Sequence, residues 1–341
     1  MAGPTTAKPS MRYLTAAFYL FVDLPDCAQF KAPLQALCEA QQVKGLVLLA
    51  PEGINSTIAG PAEGVHTVLA WLRSQAPFAA LQHKESWSDK APFRRMRVRI
   101  KKEIVTMGVP GLRPASQAGR YVSAKDWNAL IADPDVLLVD TRNDYEVELG
   151  SFEGAVNPGI QSFAQLPAWL ATQGLLDPAK PRKVAMFCTG GIRCEKSTAL
   201  LRAQGLQEVY HLEGGILKYL ETVAPEASRW QGECFVFDER VSVAHGVQTG
   251  SHQLCRCCRQ PLPPGALESS HYEPGVSCPR CFSLTSETQK KSARERQRQW
   301  ERAKAKAELR GSEDAESGES GEGSASGAFA ATGQDAISGH G

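Results

Sequence analysis

Lys183-Val184-Ala185-Met186-Phe187-Cys188-Thr189-Gly190-Gly191-Ile192-Arg193-Cys194-Glu195-Lys196-Ser197 is the stretch on which the fold turns. Its first five residues are mostly apolar and read as a short buried strand. A tight turn from Cys188 to Arg193 follows, and Glu195 to Gln204 reads as a helix stopped by Gly205. A cysteine at a strand end, looped over a helix N-terminus, meets inward-pointing N–H groups and the positive end of the helix dipole, about half an elementary charge. Both favour thiolate over thiol, starting from an ordinary pKa of about 8.5. Arg193 adds a fixed cation, and Gly190 and Gly191 let the backbone of Thr189 to Ile192 curl around the sulfur. The pattern marks Cys188 as a nucleophile rather than a core thiol.

The flanking segments alternate strand and helix. Ser123 is placed to cap a helix carrying Trp127 and Leu130, and Val136 to Val139 reads as a buried strand running into Asp140-Thr141-Arg142-Asn143-Asp144-Tyr145-Glu146. Phe163 to Ala171 reads as a helix, Val209 to Leu212 as a strand, and Glu213-Gly214-Gly215-Ile216 as the entry to a further helix. This order implies a parallel α/β domain, in which ligands bind beyond the strand C-termini, where Asp140 and Cys188 both fall. Asp140, Arg142 and Glu146 are expected to form a buried ion-pair network bracing the loop. Cys194 is either a resolving thiol for Cys188 or, as the start of the helix, turned away from it.

Upstream, Ala17–Val22, Val43–Ala50, Ile54–Ala59 and Leu81–Trp87 read as strands, with helices at Gln29–Gln41 and Ala62–Gln75. The order βαββαβ implies a ferredoxin-like sandwich, a fold that settles no function. Phe93 to Lys102 then carries six basic residues in ten. Strand alternation sets Arg95, Arg97, Arg99 and Lys101 on one face and Met96, Val98 and Ile100 on the other. Such a row suits an RNA phosphate backbone, and it equally suits an edge strand protected by charge from aggregation. Gly108 to Gly119 is linker-like.

Downstream, Gly232 to Val241 reads as a strand leaving the α/β domain, with Cys234 packed rather than reactive. Cys255-x-x-Cys258, a spacer of 19 residues, and Cys278-x-x-Cys281 have zinc-ribbon spacing. Four thiolates suit a structural Zn²⁺, with Cys257 as a spare and His252 as a weaker candidate. Ser286 to Arg310, with nine basic and four acidic residues, reads as a solvated basic helix able to touch RNA. Gly311 to Gly341 holds eight glycines and six acids without Lys or Arg and is expected to be disordered.

Over all 341 residues the net charge is +1, which conceals strong regional segregation. No apolar run is long enough for a membrane span, and the N-terminus has no signal-peptide core, so a cytoplasmic protein without membrane attachment is expected. Ten cysteines, five of them at metal-like spacing and one in the reactive loop, fit a reducing compartment better than a disulfide framework.

Asp140-x-Arg142 with Glu146, the Cys188 loop and Leu212-Glu213-Gly214-Gly215, in that order, resemble a rhodanese domain. The six-residue loop from Cys188 to Arg193 goes, in that superfamily, with sulfur rather than phosphate chemistry. The string Cys-Thr-Gly-Gly-Ile-Arg-Cys-Glu-Lys-Ser is narrower. With Pro51-Glu52-Gly53-Ile54-Asn55 and Phe235-Val236-Phe237-Asp238-Glu239-Arg240, it is similar to the TrhO (YceA-like, UPF0176) family across about Tyr13 to Cys281. That resemblance implies an oxygen-dependent tRNA uridine(34) hydroxylase, with O₂ as co-substrate, tRNA as partner and Cys188 as the persulfide-forming residue. Relatives often carry His where Ser151 stands. No flavin, haem or iron-binding signature accompanies these motifs, and the electron donor and oligomeric state stay unassigned.

The resulting expectation is an α/β multidomain chain. It has a flexible N-terminus (1–12), a ferredoxin-like domain (13–107), a rhodanese-like catalytic domain (119–225), a zinc-ribbon-like module (230–285), a basic helix (286–310) and a disordered tail (311–341). A thiosulfate-type sulfurtransferase or sulfur carrier, and a non-catalytic RNA-binding adaptor, are the alternatives.

Overall fold

The computed structural model describes residues 12–177 and 183–317. The remainder of the expected flexible N-terminus and residues 318–341 of the expected tail lie outside the described residues. Two compact units form: one reaches Cys255 and includes Arg259–Glu268, and the other comprises Arg256–Cys258 and the chain from Ser269 onward.

In the first unit, β1 (Tyr13–Phe21), α1 (Lys31–Ala40), β2 (Lys44–Ala50), β3 (Gly53–Gly60), α2 (Ala62–Ser74) and β4 (Lys84–Ser88) build the βαββαβ sandwich. Alternation drives it: Leu14, Ala16 and Phe18 of β1 face Leu34 and Cys38 of α1 and Val65, Val68 and Leu72 of α2 in one buried core. Each such side chain contributes roughly 1.5–3 kcal/mol on burial. β5 (Met96–Ile100) then adds a fifth strand, parallel to β2, in the sheet order β4-β1-β3-β2-β5. Val98 is buried, as its alternation requires, and its N–H donates to Gln35 Oε1 of α1 at 2.9 Å. Ile100 is 40 % exposed rather than held to the core, because it ends an edge strand.

Next come α3 (Pro114–Gln117), β6 (Arg120–Val122), α4 (Ala124–Ile131), β7 (Val136–Asp140), α5 (Asp144–Val147), β8 (Gly150–Phe152), α6 (Leu166–Ala171), β9 (Lys183–Phe187), α7 (Ile192–Ala203), β10 (Val209–Leu212) and α8 (Gly215–Thr222). The parallel sheet runs β6-β10-β9-β7. Trp127 of α4 and Tyr219 and Leu220 of α8 pack in one hydrophobic cluster, and Leu166 and Leu170 of α6 with Leu200 and Leu201 of α7 in another. The Ser123 cap is present: its Oγ accepts the Asp126 N–H. α7 begins at Ile192 rather than Glu195, because Gly191, at φ 107°, closes the turn at once.

Two segments behave differently from expectation. The linker-like stretch is packed: Val109 and Leu112 lie against the α6–α7 cluster and the Gly119 N–H donates to Thr198 Oγ1 at 2.9 Å. The strand after the domain does not leave it. β11 (Trp230–Gly232) pairs with β8, and Trp230, Cys234, Val236 and Val243 join the α4–α8 core. Burying these apolar groups outweighs the local loop signal, so residues 230–255 belong with the first unit rather than with a separate module.

In the second unit the basic helix runs Glu287–Ser317, past Arg310, as Glu313, Ala315 and Glu316 are favourable helix residues. It is not solvated all round. Ala293 is buried, Lys290 Nζ lies 3.8 Å from the Phe282 ring centroid, and Arg294 pairs with Glu273 at 2.7 Å.

Candidate active site

Cys188 directly follows β9 and is fully buried. Its Sγ accepts the Gly191 N–H at 3.1 Å. The loop can present N–H groups inward because its carbonyls are occupied elsewhere. The first free amides of α8 take them: Ile216 N–H donates to Cys188 O at 3.0 Å and Leu217 N–H to Thr189 O at 3.1 Å. The Gly214-Gly215 turn makes this approach possible, since a Cβ on Gly215 would lie 2.5 Å from Cys188 O and 2.7 Å from Thr189 O.

Burial alone would raise the Cys188 thiol. The Cys194 thiol, the Arg193 guanidinium and the backbone N–H groups of Cys194 and Gly191 outweigh it and hold Cys188 down to about 5. Cys194 therefore faces Cys188 rather than turning away, and burial together with its anionic neighbour drives its own pKa well up. Thr141 Oγ1, 3.6 Å from Cys194 Sγ, completes that contact.

The expected acidic and basic trio resolves into two separate pairs. Arg142 Nε and Nη2 donate to Asp140 at 2.8 and 2.6 Å, and Nη2 also to Gly150 O at 2.6 Å. Ser151 Oγ donates to the same carboxylate at 2.8 Å. Glu146 gives Arg142 only its backbone carbonyl, at 3.2 Å, because its carboxylate takes both Nη1 and Nη2 of Arg193 at 2.6 and 2.8 Å. Arg193 is thus a buried, paired cation beside the loop. Burial would raise the Glu146 carboxyl, but the Arg193 charge and hydrogen bonds hold it below the usual carboxylate range.

Spacing gave no sign of the residues that the N-terminal sandwich brings here. Tyr19 Oη donates to Glu195 Oε1 at 2.6 Å. Burial and the Cys188 charge push the Glu195 carboxyl up, against the bonds from Tyr19 and Tyr121. Lys196 Nζ, buried, donates to both Glu52 oxygens at 2.9 and 2.8 Å, to Val105 O at 3.0 Å and to Glu103. Lys84 Nζ donates to Gly190 O at 3.1 Å and to Gly214 O. Glu52, Glu195 and Lys196 lie in strings that stood out in the sequence, so their presence was readable and their pairing was not.

The sulfurs of Cys255, Cys258, Cys278 and Cys281 lie within 4.8 Å of one another. Cys278 Sγ is 3.7 Å from both Cys258 Sγ and Cys281 Sγ. A tetrahedron with metal–sulfur bonds of about 2.3 Å has sulfur edges of about 3.8 Å, so this donor set fits a four-thiolate metal. His252 is engaged otherwise, its Nδ1 2.7 Å from Glu233 Oε2. Arg95, Arg97, Arg99 and Lys101 lie in or beside β5 at the sheet edge, where the Arg97 guanidinium is lowered by desolvation and by Arg95 and Arg99 beside it. Among the described residues no helix is long and apolar enough to cross a membrane.

Residues 13–104 match the UPF0176 acylphosphatase like domain, and 123–222 the Rhodanese-like domain. A protein of Albidiferax ferrireducens named tRNA uridine(34) hydroxylase is 68 % identical over 299 residues, 87 % of this chain and 94 % of that one. Proteins of the same name from Acaryochloris marina and Sinorhizobium fredii are 56 % and 55 % identical, covering 87 % and 89 % of this chain and 95 % and 97 % of theirs. With an acylphosphatase-like sandwich ahead of a rhodanese domain, and these identities over nearly the full length of its relatives, the chain belongs to the family whose curated members carry the name tRNA uridine(34) hydroxylase.

Proposed function

We propose that this chain hydroxylates C5 of the wobble uridine of tRNA with O₂ and that Cys188 is the residue on which the reaction depends. The observation that carries the reading is the buried Cys188 sulfur, which accepts the Gly191 N–H at 3.1 Å beside the Arg193 charge that favours its thiolate, within a family of that name. One oxygen atom of O₂ enters at C5, and the other leaves as water with two electrons and two protons from an external reductant. Cys188 carries a persulfide: its thiolate attacks a sulfane sulfur, an S–S bond forms, and the donor departs with the bonding pair. Arg193 and Glu146 keep the loop charged and ordered, and Asp140 and Arg142 brace the strand end beneath it. Zn²⁺ at Cys255, Cys258, Cys278 and Cys281 would hold the C-terminal fold together and takes no part in the chemistry. Arg95, Arg97, Arg99 and Lys101 contact the tRNA backbone, and the enzyme works in the cytoplasm.

A six-residue loop around a thiolate also favours plain sulfur transfer, and one experiment separates the readings. Nucleosides of tRNA from cells lacking this protein are measured by mass spectrometry, with the wild type or Cys188→Ser returned. Loss of 5-hydroxyuridine derivatives, restored only by the wild type, is expected. Intact 5-hydroxyuridines with altered thiouridines would establish a sulfurtransferase instead, and full restoration by Cys188→Ser would remove Cys188 from the mechanism. No change in either class would leave an RNA-binding adaptor.

A further inference from the structure

The peptide between Gly190 and Gly191 has both ends engaged. Its N–H, on Gly191, donates to Cys188 Sγ at 3.1 Å. Its carbonyl, on Gly190, accepts from Lys84 Nζ at 3.1 Å. Lys84 starts β4 in the N-terminal sandwich and lies 106 residues from Gly190 in the chain. The same ammonium also donates to Gly214 O, on the turn that abuts the Cys188 carbonyl.

We infer that Lys84 is a positioning residue for Cys188, acting through the Gly190–Gly191 peptide to hold and polarise the amide that binds the sulfur anion. A cation on a carbonyl oxygen withdraws electron density from the amide and makes its N–H a stronger donor, so the two bonds reinforce one another. Lys84 also fixes orientation. If the peptide flipped, a carbonyl oxygen would face the thiolate, and both the ammonium bond and the N–H bond would be lost together. Gly191 at φ 107° has little intrinsic preference for the observed orientation, so an external clamp is needed.

The charges around this pair agree with the assignment. The two acceptors of Lys84 Nζ, on Gly190 and Gly214, are uncharged carbonyls. Burial lowers its ammonium to about 8, while the Cys188 anion, Glu221 and Cys234 support the charge and Lys218 opposes it. On the sulfur side stand Arg193, Cys194, Glu195 and Tyr19. The role concerns the thiolate alone and does not depend on what the persulfide later does, so tRNA and O₂ are not needed to test it.

The test follows iodoacetamide alkylation of Cys188 in the full chain against pH, using mass spectrometry of the Cys188 peptide. In Lys84→Met the midpoint should rise by up to about one unit, since the variant loses both a cation that interacts with the Cys188 anion and the polarisation of the amide that binds it. Lys84→Arg, which keeps the cation, should stay closer to the wild type. A folded Lys84→Met with an unmoved midpoint overturns the inference. A second measurement leaves Lys84 untouched: in Cys188→Ser, where the anion that supports the ammonium is gone, the Gly191 amide resonance should titrate below pH 8 as the ammonium bonded to its peptide loses its proton. A Gly191 signal flat between about pH 5 and pH 9 overturns it even where Lys84→Met fails to fold.

Discussion

Replacing Glu146 by Gln would leave the Arg193 guanidinium charged in the interior with no carboxylate against it. The Glu146 side chain is fully buried and that of Arg193 is 9 % exposed, and two bonds of 2.6 and 2.8 Å join them bidentately. Removing one partner of such a pair costs about 3–5 kcal/mol, mostly because the remaining charge stays desolvated. Glutamine keeps the volume and one acceptor oxygen, so the low end, about 3 kcal/mol, is expected. At roughly 2–4 °C per kcal/mol for a domain of this size, the melting temperature should fall by about 6–12 °C. Tryptophan fluorescence reports it, since Trp127 and Trp230 both lie in the rhodanese core.

The sign of the pH dependence follows from the direction of the Glu146 shift. Its carboxyl is held below the ordinary value by Arg193, against burial. The stabilisation is therefore fully present above about pH 4.3 and is lost only as the pH falls through the lower folded value. The difference between wild type and variant should be constant from about pH 6 to pH 8 and shrink in stronger acid. The double variant Glu146→Leu, Arg193→Met should recover much of the loss, as apolar replacements of buried pairs commonly do. A Glu146→Gln protein melting within about 2 °C of the wild type at pH 7 would refute the reasoning, because the scale above leaves no room for so small an effect.

With Cys188 held at about 5, its alkylation rate should stay near its ceiling from neutral pH downward and drop only as the pH falls through 5, whereas Cys194, pushed up by burial, should stay unmodified. Elemental analysis should find one zinc per chain, lost in Cys278→Ser with melting of the C-terminal fold, since such sites bind with about 10–16 kcal/mol. Iron in equal amount would overturn the structural role. Reversing Arg97 and Arg99 to Glu should weaken every tRNA similarly and flatten the salt dependence of binding by about two units in log–log slope. Unchanged binding would leave these arginines as guards of the β5 edge.

What the sequence made legible was local. The alternation of β1 and the helical spacing of Val65, Val68, Leu69 and Leu72 disclose the sandwich, because period 2 and period 3.6 are written residue by residue. The Cys188 loop was equally readable, its Gly-Gly pair and following helix being consecutive. The partner of Glu146 was not, because Arg142 at four residues and Arg193 at 47 both satisfy its charge and only packing decides between them. That the chain from Gly232 to Val241 stays with the domain was not legible for the same reason: the short strand before it, paired with a distant β8, has no helical or hairpin signal of its own. The basic strand disclosed its charge but not its parallel partner β2, since charge alternation carries no register.

The position of Lys84 changes what the N-terminal sandwich means. A ferredoxin-like fold ahead of a catalytic domain reads naturally as an RNA-binding appendage, and the arginines of β5 support that part. Yet Tyr19 and Lys84 come from β1 and β4, on the far side of the same sheet from β5. Three of the loop's carbonyls are claimed: those of Cys188 and Thr189 by α8 and that of Gly190 by Lys84. Only the last comes from outside the rhodanese domain. Peptides whose carbonyls are fixed outward must present their N–H groups inward, and it is the Gly190–Gly191 peptide that contacts the sulfur. An isolated rhodanese domain of this sequence would keep the cysteine and the helix dipole but lose the clamp on that one amide. The two domains therefore share a single anion cradle, with the basic strand β5 at one edge of the sheet and Lys84 of β4 at the other.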